Sequence, residues 1–239
     1  MFRFSSCPRI WRQQRLLPKL GSTRMNSQQH KKKSMAKMDD TVTVVRLPHS
    51  QAYTILHNRL YLAPAFCATN EELLRKDGIS RVLNVAKDVD TQQFSTIQVH
   101  HLKLYDSPDQ SLPFQQAAEY LSECLQTNGK CLVHCNAGQS RSASLIMYFL
   151  MKYGPYSLQE AWDYCKTRKP DIRPNFGFAI QLEAEEVKIH GKSSFDLTEY
   201  KADSIMDILE GSGKTKADVI EAIQKFNGDA ELALGSLLT

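Results

Sequence analysis

The sequence has little cysteine and lacks any long apolar run. Its 239 residues include six cysteines, too few for the disulfide framework of a small secreted domain. No stretch reaches the roughly 18 consecutive apolar residues that a membrane-spanning helix requires. With 42% hydrophobic and 23% charged residues, the composition is that of a globular protein. We therefore expect an intracellular chain with one medium-sized domain and a small second one.

Acidic residues are absent from the first 38 positions, which contain five arginines and five lysines. That segment carries +10 and the rest of the chain −6, so the net charge of +4 does not indicate a nucleic-acid-binding face. An acid-free, arginine-rich start is typical of a mitochondrial transit peptide, and a plain disordered leader is the alternative. We expect residues 1–41 to be this leader, with a cytoplasmic, mitochondrial or, given Lys31 to Lys33, nuclear location.

From Val42 onward, short apolar runs alternate with segments of helical periodicity. The pattern predicts strands over 52–55, 60–62, 81–85, 99–104 and 131–134, and helices over 70–76, 113–126, 142–152, 158–168 and 175–189. This alternation is typical of an α/β domain whose central, mainly parallel sheet is flanked by helices. We place this domain at residues 42–190.

The C-terminal segment is predicted to be a separate all-α unit at 198–239, after a linker at 191–197. Helices are expected over 200–210 and 216–226, with a third ending at Leu237 and Leu238. Each helix has one apolar face, so three helices can enclose a small core. A unit of about 40 residues is marginally stable alone, and we expect it to dock on the larger domain.

The candidate reactive residues lie where the predicted strand 131–134 meets the next helix. Cys135 ends the strand, Gly138 lies in the middle of the loop, and Arg141 and Ser142 lie where the apolar helix begins. In such a loop, successive backbone N–H groups point inward at the helix N-terminus, where the macrodipole contributes about half a positive charge. The junction is therefore predicted to bind an oxyanion.

Each of these side chains suits phosphoryl transfer. A cysteine thiol at a helix N-terminus beside an arginine has a pKa of roughly 3.5 to 7.5 instead of about 8.5, so Cys135 needs no separate base. The planar guanidinium of Arg141 can hold two oxygens of a tetrahedral anion. Gly138 permits the tight loop, and the Ser142 hydroxyl can hydrogen-bond the sulfur when it leaves. His134 is expected to orient the loop.

The motif His-Cys-x-x-Gly-x-x-Arg-Ser at 134–142 resembles the active-site signature of the Cys-dependent dual-specificity phosphatases. The resemblance covers about 150 residues, with flanking blocks at 59–64, 78–86 and 168–182. It implies a phosphatase that needs no metal or cofactor and hydrolyses phosphotyrosine and phosphoserine or threonine on proteins through a cysteinyl-phosphate intermediate. By the same resemblance, phosphate is bound by the backbone amides of Asn136, Ala137, Gly138, Gln139, Ser140 and Arg141.

The family also uses a general acid on a loop upstream of this motif, to protonate the leaving alkoxide. Here the predicted strand 99–104 is followed by Tyr-Asp-Ser-Pro-Asp, so Asp106 and Asp109 are both candidates. Asp106 matches the family's placement directly after the strand, and we favour it. A turn or helix-capping role is the alternative for such an aspartate.

Two further function classes stay open. The loop positions Asn136, Ala137, Gln139 and Ser140 are uncharged, which disfavours inositol lipids, although a lipid or another non-protein phosphate ester is possible. The chain is alternatively an adaptor that binds phosphoproteins and recruits partners through its tail. The resemblance also leaves open a protective disulfide between Cys135 and one of the other cysteines under oxidation.

The tail resembles a ubiquitin-associated (UBA-like) domain, most clearly over residues 227–233 and in the terminal pair Leu237 and Leu238. Ubiquitin-binding members usually carry apolar side chains in the first loop, whereas this chain has Gly211, Ser212 and Gly213. We therefore favour a structural role or docking of another protein for the tail, with ubiquitin binding as the alternative.

Overall fold

A computed structural model describes residues 44–56 and 59–238. The predicted leader at 1–41 lies outside these residues. Along the chain the elements are β1 (Tyr53–Leu56), β2 (Leu60–Ala63), α1 (Glu71–Lys76), β3 (Arg81–Asn84), β4 (Gln98–His101), α2 (Phe114–Gln126), β5 (Cys131–His134), α3 (Arg141–Tyr153), α4 (Leu158–Arg168), α5 (Phe176–His190), α6 (Leu197–Ile208), α7 (Lys216–Lys225) and α8 (Ala230–Leu237). This is the predicted α/β domain followed by a small helical unit.

The strands form one sheet in the order β1-β2-β5-β3-β4. β1 runs antiparallel to β2, and the other three pairings are parallel, which confirms the predicted mainly parallel sheet. β5 lies at the centre, where Cys131 pairs with Leu60 of β2 and with Arg81 of β3. The carboxyl ends of these parallel strands therefore meet at one edge, the usual place for a ligand site in such sheets.

Two apolar clusters cover the two faces of the sheet, because successive residues of a strand point to opposite sides. Val133 of β5 belongs to the larger cluster and Leu132 to the smaller one. Helix α3 is buried continuously from Arg141 to Met151 in the larger cluster. A helix that is buried all round is a core element. The loop before it is therefore anchored at one end by the central strand β5 and at the other end by α3.

The fourth strand is shorter than the sequence indicates. We predicted a strand over 99–104, but β4 ends at His101. Leu102 N still donates to Asn84 O at 2.8 Å, and the chain then turns so that Leu104 N bonds Leu102 O. Both leucines remain buried, so the apolar alternation continues after the strand itself has ended.

The C-terminal helices α6, α7 and α8 enclose a core of their own, which confirms the small all-α unit. Helix α6 begins at Leu197 instead of 200, because the Asp196 carboxylate accepts the N–H groups of Thr198 and Glu199. The unit contacts the larger domain: the Trp162 ring on α4 lies 4.6 Å from the Phe195 ring and 4.7 Å from the Tyr200 ring, between centroids. Within the described residues, no helix is long and apolar enough to cross a membrane.

Candidate active site

The loop between β5 and α3, here called the cradle (residues 135–141), is held from both sides. Ala65 N donates to Asn136 O at 2.7 Å, and Arg173 N donates to Gln139 O at 2.9 Å. Gly138 has φ +70°, and a Cβ there would lie 2.6 Å from the carbonyl oxygen of Ala63. Only glycine permits both this backbone conformation and this close approach. The cradle is therefore a rigid loop at the carboxyl edge of the sheet.

Cys135 lies at the start of the cradle and is 1% exposed. The Ser142 hydroxyl donates to its Sγ at 3.1 Å. His134 Nδ1 bonds the Cys135 carbonyl oxygen at 3.0 Å, the loop-orienting contact expected of it. Burial lowers the pKa of His134, so the ring is neutral at pH 7 and Nδ1–H is the donor. The sulfur thus lies beside a hydroxyl donor and the first turn of α3.

The Arg141 side chain is 5% exposed and reaches across the cradle. The Arg141 Nη1 contacts the Asp88 carboxylate and also donates to Leu104 O at 3.1 Å. Its Nε lies 3.4 Å from Asp106 Oδ2 but makes no hydrogen bond within the described part of the chain. A buried donor without a partner is rare in proteins. It is suited to a phosphoryl oxygen bound in the cradle.

Asp106 lies on the acid loop (residues 105–109) and is the predicted acid that the structure brings to the cradle. Its Oδ1 accepts from Ser140 Oγ at 2.7 Å and from Asn175 Nδ2 at 2.8 Å. Asn175 N also donates to Ser140 Oγ at 3.0 Å. Asp109 is exposed and makes no hydrogen bond or ion pair within residues 44–56 and 59–238. The geometry therefore favours Asp106 over Asp109 for proton transfer to a group in the cradle.

Asp88 is a site residue that the sequence reasoning missed. It follows β3, and it contacts both Arg141 and the side chain of Asn136. The hydrogen bond from Arg141 lowers the pKa of Asp88, so this carboxylate is ionised at neutral pH. Its position after a strand adjacent to β5 was the available signal, since such strands end at the same edge.

Two other cradle residues border a cavity beside the loop. Asn136 and Ala137 are exposed and border a cavity of about 370 Å³ whose walls include Arg46, Tyr53 and Lys169. Gln139 Nε2 donates to Oδ2 of Asp171, which also borders this cavity, at 3.0 Å. The cavity beside the cradle is large enough for a side chain that carries a phosphoryl group.

The five described cysteines are free thiols. Cys131 hydrogen-bonds Cys124, although it lies only four residues before Cys135 in the sequence. The protective disulfide with Cys135 stays a prediction.

The family described as dual specificity phosphatase, catalytic domain, matches residues 60–188, which contain the cradle, the acid loop and Asp88. The chain belongs to the dual specificity phosphatase family. Members of this family hydrolyse phosphoester bonds with a catalytic cysteine, and protein phosphatase activity follows from membership. The match ends before α6, so the UBA-like character of the tail stays a prediction.

Individual relatives agree with this dual specificity phosphatase assignment. Dual specificity protein phosphatase 18 of Homo sapiens is 33% identical over 167 residues, which are 69% of this chain and 89% of that protein. The crystal structure of human DUSP28 has a TM-score of 0.54 and 27% identity, and the match covers 62% of this chain and 98% of that one. Human tyrosine phosphatase-like serine/threonine/tyrosine-interacting protein has a TM-score of 0.54 and 29% identity, covering 57% and 96%.

Proposed function

We propose that this phosphatase hydrolyses phosphotyrosine and phosphoserine or threonine on proteins through a cysteinyl-phosphate intermediate. The observation that carries the proposal is the convergence of three groups on one loop: the Cys135 sulfur, the Arg141 guanidinium and the Asp106 carboxylate. Together they supply a nucleophile, a clamp for the phosphoryl oxygens and a proton donor.

In the first step, the phosphoryl group enters the cradle, where the backbone amides of 136–141 and Arg141 bind its oxygens. The Cys135 thiolate attacks phosphorus, an S–P bond forms and the ester P–O bond breaks. Protonated Asp106 gives its proton to the leaving oxygen, so the product departs as an alcohol or phenol. When Arg141 binds the phosphoryl oxygens at the start of this step, it gives up part of its contact with Asp88.

In the second step, water attacks the phosphocysteine. Ionised Asp106 accepts a proton from the water, an O–P bond forms and the S–P bond breaks. The Ser142 hydroxyl, which already donates to Sγ, stabilises the departing thiolate. Inorganic phosphate is released and the enzyme returns to its starting state.

The side chains of the cradle support a phosphoprotein substrate over a polyphosphorylated lipid. Asn136, Ala137, Gln139 and Ser140 carry no charge, so the loop itself offers no side-chain cation for additional phosphates. The adaptor alternative takes support from the interacting protein among the structural relatives. This chain, however, keeps the nucleophile, the arginine and an acid at contact distance, which favours the enzyme.

The first experiment measures phosphate release by the full chain, with a chelator present, from matched phosphotyrosine and phosphothreonine peptides and from a phospholipid. Turnover of the peptides should be lost in Cys135→Ser and retained in Cys165→Ala, which alters a buried cysteine distant in sequence from the cradle. Faster release from the phospholipid would replace the protein substrate with a lipid. No release from any substrate, with tight phosphopeptide binding, would support the adaptor.

The leader and the tail complete the proposal. We propose that residues 1–41 direct the chain to mitochondria, which fusion of this segment to a fluorescent protein tests. For the tail we propose a protein-docking role, supported by the exposed Leu232 and Leu238 of α8 and its C-terminus. Titration of the full chain with ubiquitin, followed by calorimetry, decides whether ubiquitin is the partner.

A further inference from the structure

The segment 173–175, which joins α4 to α5, contacts both the cradle and the candidate acid; we call it the bridging segment. Arg173 N donates to Gln139 O at 2.9 Å. Asn175 donates through its backbone to Ser140 Oγ and through its side chain to Asp106 Oδ1, at 3.0 and 2.8 Å. The position of the Asp106 carboxylate therefore depends directly on where this segment lies.

Helix α6 of the C-terminal unit holds the other side of the bridging segment. The Tyr200 hydroxyl donates to the Pro174 carbonyl oxygen. Arg173 pairs with Asp207, Nη1 to Oδ2, at 2.6 Å, and its Nη2 donates to Ser204 O at 3.4 Å. Residues 200, 204 and 207 recur at helical spacing, so they lie on one face of α6. One face of a tail helix thus contacts the segment that supports the acid.

Tyr200 makes the least solvent-exposed of these contacts. Its ring packs against Trp162 and Phe195, with centroid distances of 4.7 and 5.8 Å. Burial raises the pKa of Tyr200 to about 12, so the hydroxyl is a proton donor throughout the physiological range. By contrast, the Arg173 and Asp207 side chains are 48% and 60% exposed, and exposed ion pairs contribute little. Tyr200 therefore fixes Pro174, and through it Asn175.

We propose that Tyr200 is a positioning residue for the general acid, so that the C-terminal helical unit takes part in the phosphatase reaction of the larger domain. The contacts run from Tyr200 to Pro174, from Asn175 to Asp106, and from Ser140 to the same carboxylate oxygen. Proton transfer requires the acid within hydrogen-bond reach of the leaving oxygen, and a small displacement slows it strongly. The inference rests on the proposed role of Asp106.

The leaving group distinguishes a positioning role from a merely structural one. Phenolate and aliphatic alkoxide depart slowly without protonation, whereas a nitrophenolate departs readily. Tyr200→Phe keeps the ring packing and removes only the bond to Pro174 O. We expect kcat/KM of the full chain to fall about tenfold with phenyl phosphate and less than about twofold with p-nitrophenyl phosphate. An equal fall with both substrates would overturn the inference.

Tyr164→Phe is the matched control. Its hydroxyl also donates to a backbone carbonyl, that of Ile55, at 3.0 Å, and its side chain is buried, whereas that of Tyr200 is partly buried. This bond has no link to the bridging segment. We expect the ratio of kcat/KM with phenyl phosphate to kcat/KM with p-nitrophenyl phosphate to be the same in Tyr164→Phe as in the parent. This holds even if the substitution lowers the melting temperature. A leaving-group effect in this control as large as that in Tyr200→Phe would also contradict the inference.

A double-mutant cycle tests the route through Asp106. Once Asp106→Asn has removed the acid, Tyr200→Phe should cause no further loss of kcat/KM with phenyl phosphate. Full additivity of the two losses would show that Tyr200 acts by another route and would overturn the inference. If Asp106→Asn alone leaves phenyl phosphate turnover unchanged, the assignment of the acid fails first, and the inference fails with it.

Discussion

The backbone of Gly177, in the first turn of α5, lies directly against Pro108 of the acid loop. A Cβ at position 177 would come within 2.1 Å of the Pro108 carbonyl oxygen, and within 2.5 Å of its Cα. Such distances leave room for glycine alone, so the loop that carries Asp106 is packed tightly on α5. The candidate acid Asp106 is thus held by backbone packing as well as by the hydrogen bonds of Ser140 and Asn175.

A methyl group at position 177 should therefore move the acid. We expect Gly177→Ala to lower kcat/KM with phenyl phosphate by roughly tenfold or more, because the loop must shift to make room. Gly235→Ala is the control, since a Cβ at this other helical glycine meets nothing within 4 Å. Steady-state kinetics on both variants measures the effect. Unchanged kinetics in Gly177→Ala would mean that the loop tolerates displacement.

The Ser142 hydroxyl should matter for the second step more than for the first. In the proposed mechanism, its bond to Sγ stabilises the thiolate that leaves when phosphocysteine is hydrolysed. Removal of such a donor costs about 10² in rate, so Ser142→Ala should lower kcat and accumulate the intermediate with little change in kcat/KM. A pre-steady-state burst of p-nitrophenol shows the accumulation. Ser122→Ala, a buried helical serine outside the cradle, should show no burst.

Alkylation should select the cradle cysteine. Burial raises the pKa of Cys67 to about 11 and that of Cys165 to about 12, so both thiols remain protonated and slow at pH 7. Iodoacetate is an anion that the cradle attracts, and we expect it to modify Cys135 first. Peptide mapping by mass spectrometry of the full chain identifies the site. Inorganic phosphate should protect it, and an unaltered rate at saturating phosphate would place the reactive thiol elsewhere.

Asp88 should compete with phosphate for Arg141. The ion pair lowers the pKa of Asp88, so its negative charge persists between pH 5 and 8 and opposes an entering anion. We expect Asp88→Asn to lower the inhibition constant of inorganic phosphate several-fold, roughly threefold to tenfold. Asp90→Asn, exposed on the same loop, is the control. A weaker inhibition by phosphate would show instead that Asp88 orients the guanidinium for binding.

His134 should make the fold sensitive to mild acid. Because burial lowers its pKa, the unfolded chain binds more protons than the folded one once the pH falls below about 6.5. The free energy of unfolding therefore decreases from there down to the lowered pKa of the folded state. His134→Gln should reduce this slope by up to about 1.4 kcal/mol per pH unit. Urea titrations at several pH values measure it, with exposed His49→Gln as the control.

The sequence predicted two elements of the α/β domain with their observed bounds, because the signals for them are contiguous in the chain. The strand Cys131–His134 and the helix Leu158–Arg168 have the predicted bounds. The first is a short buried run next to polar residues, and the second begins at a capping box formed by Ser157 and Glu160. Local signals of this kind depend on neighbours in the chain, so one sequence is enough to read them.

Contacts between segments that are distant in the chain could not be predicted from such local signals. Asp88 and Asn175 contact the site from loops, and Tyr200 contacts the bridging segment from a separate helical unit. The positions of these residues in the sequence follow no helical or strand periodicity. The end of β4 was missed for a related reason. Leu102 and Leu104 stay buried after the chain has left the sheet, so an alternating pattern outlasts the strand that it usually marks.

The position of β5 in the sheet determines the order in which the parts of the active site can form during synthesis. This strand comes last of the five along the chain, yet it lies between β2 and β3, which have no pairing with each other. While the ribosome makes the chain, the earlier strands lack the partner that joins them until residue 134 has emerged. The cradle follows at once, and the bridging segment and Tyr200 emerge later still. In the nascent chain, the proposed nucleophile Cys135 is therefore in place before the residues that hold the candidate acid Asp106.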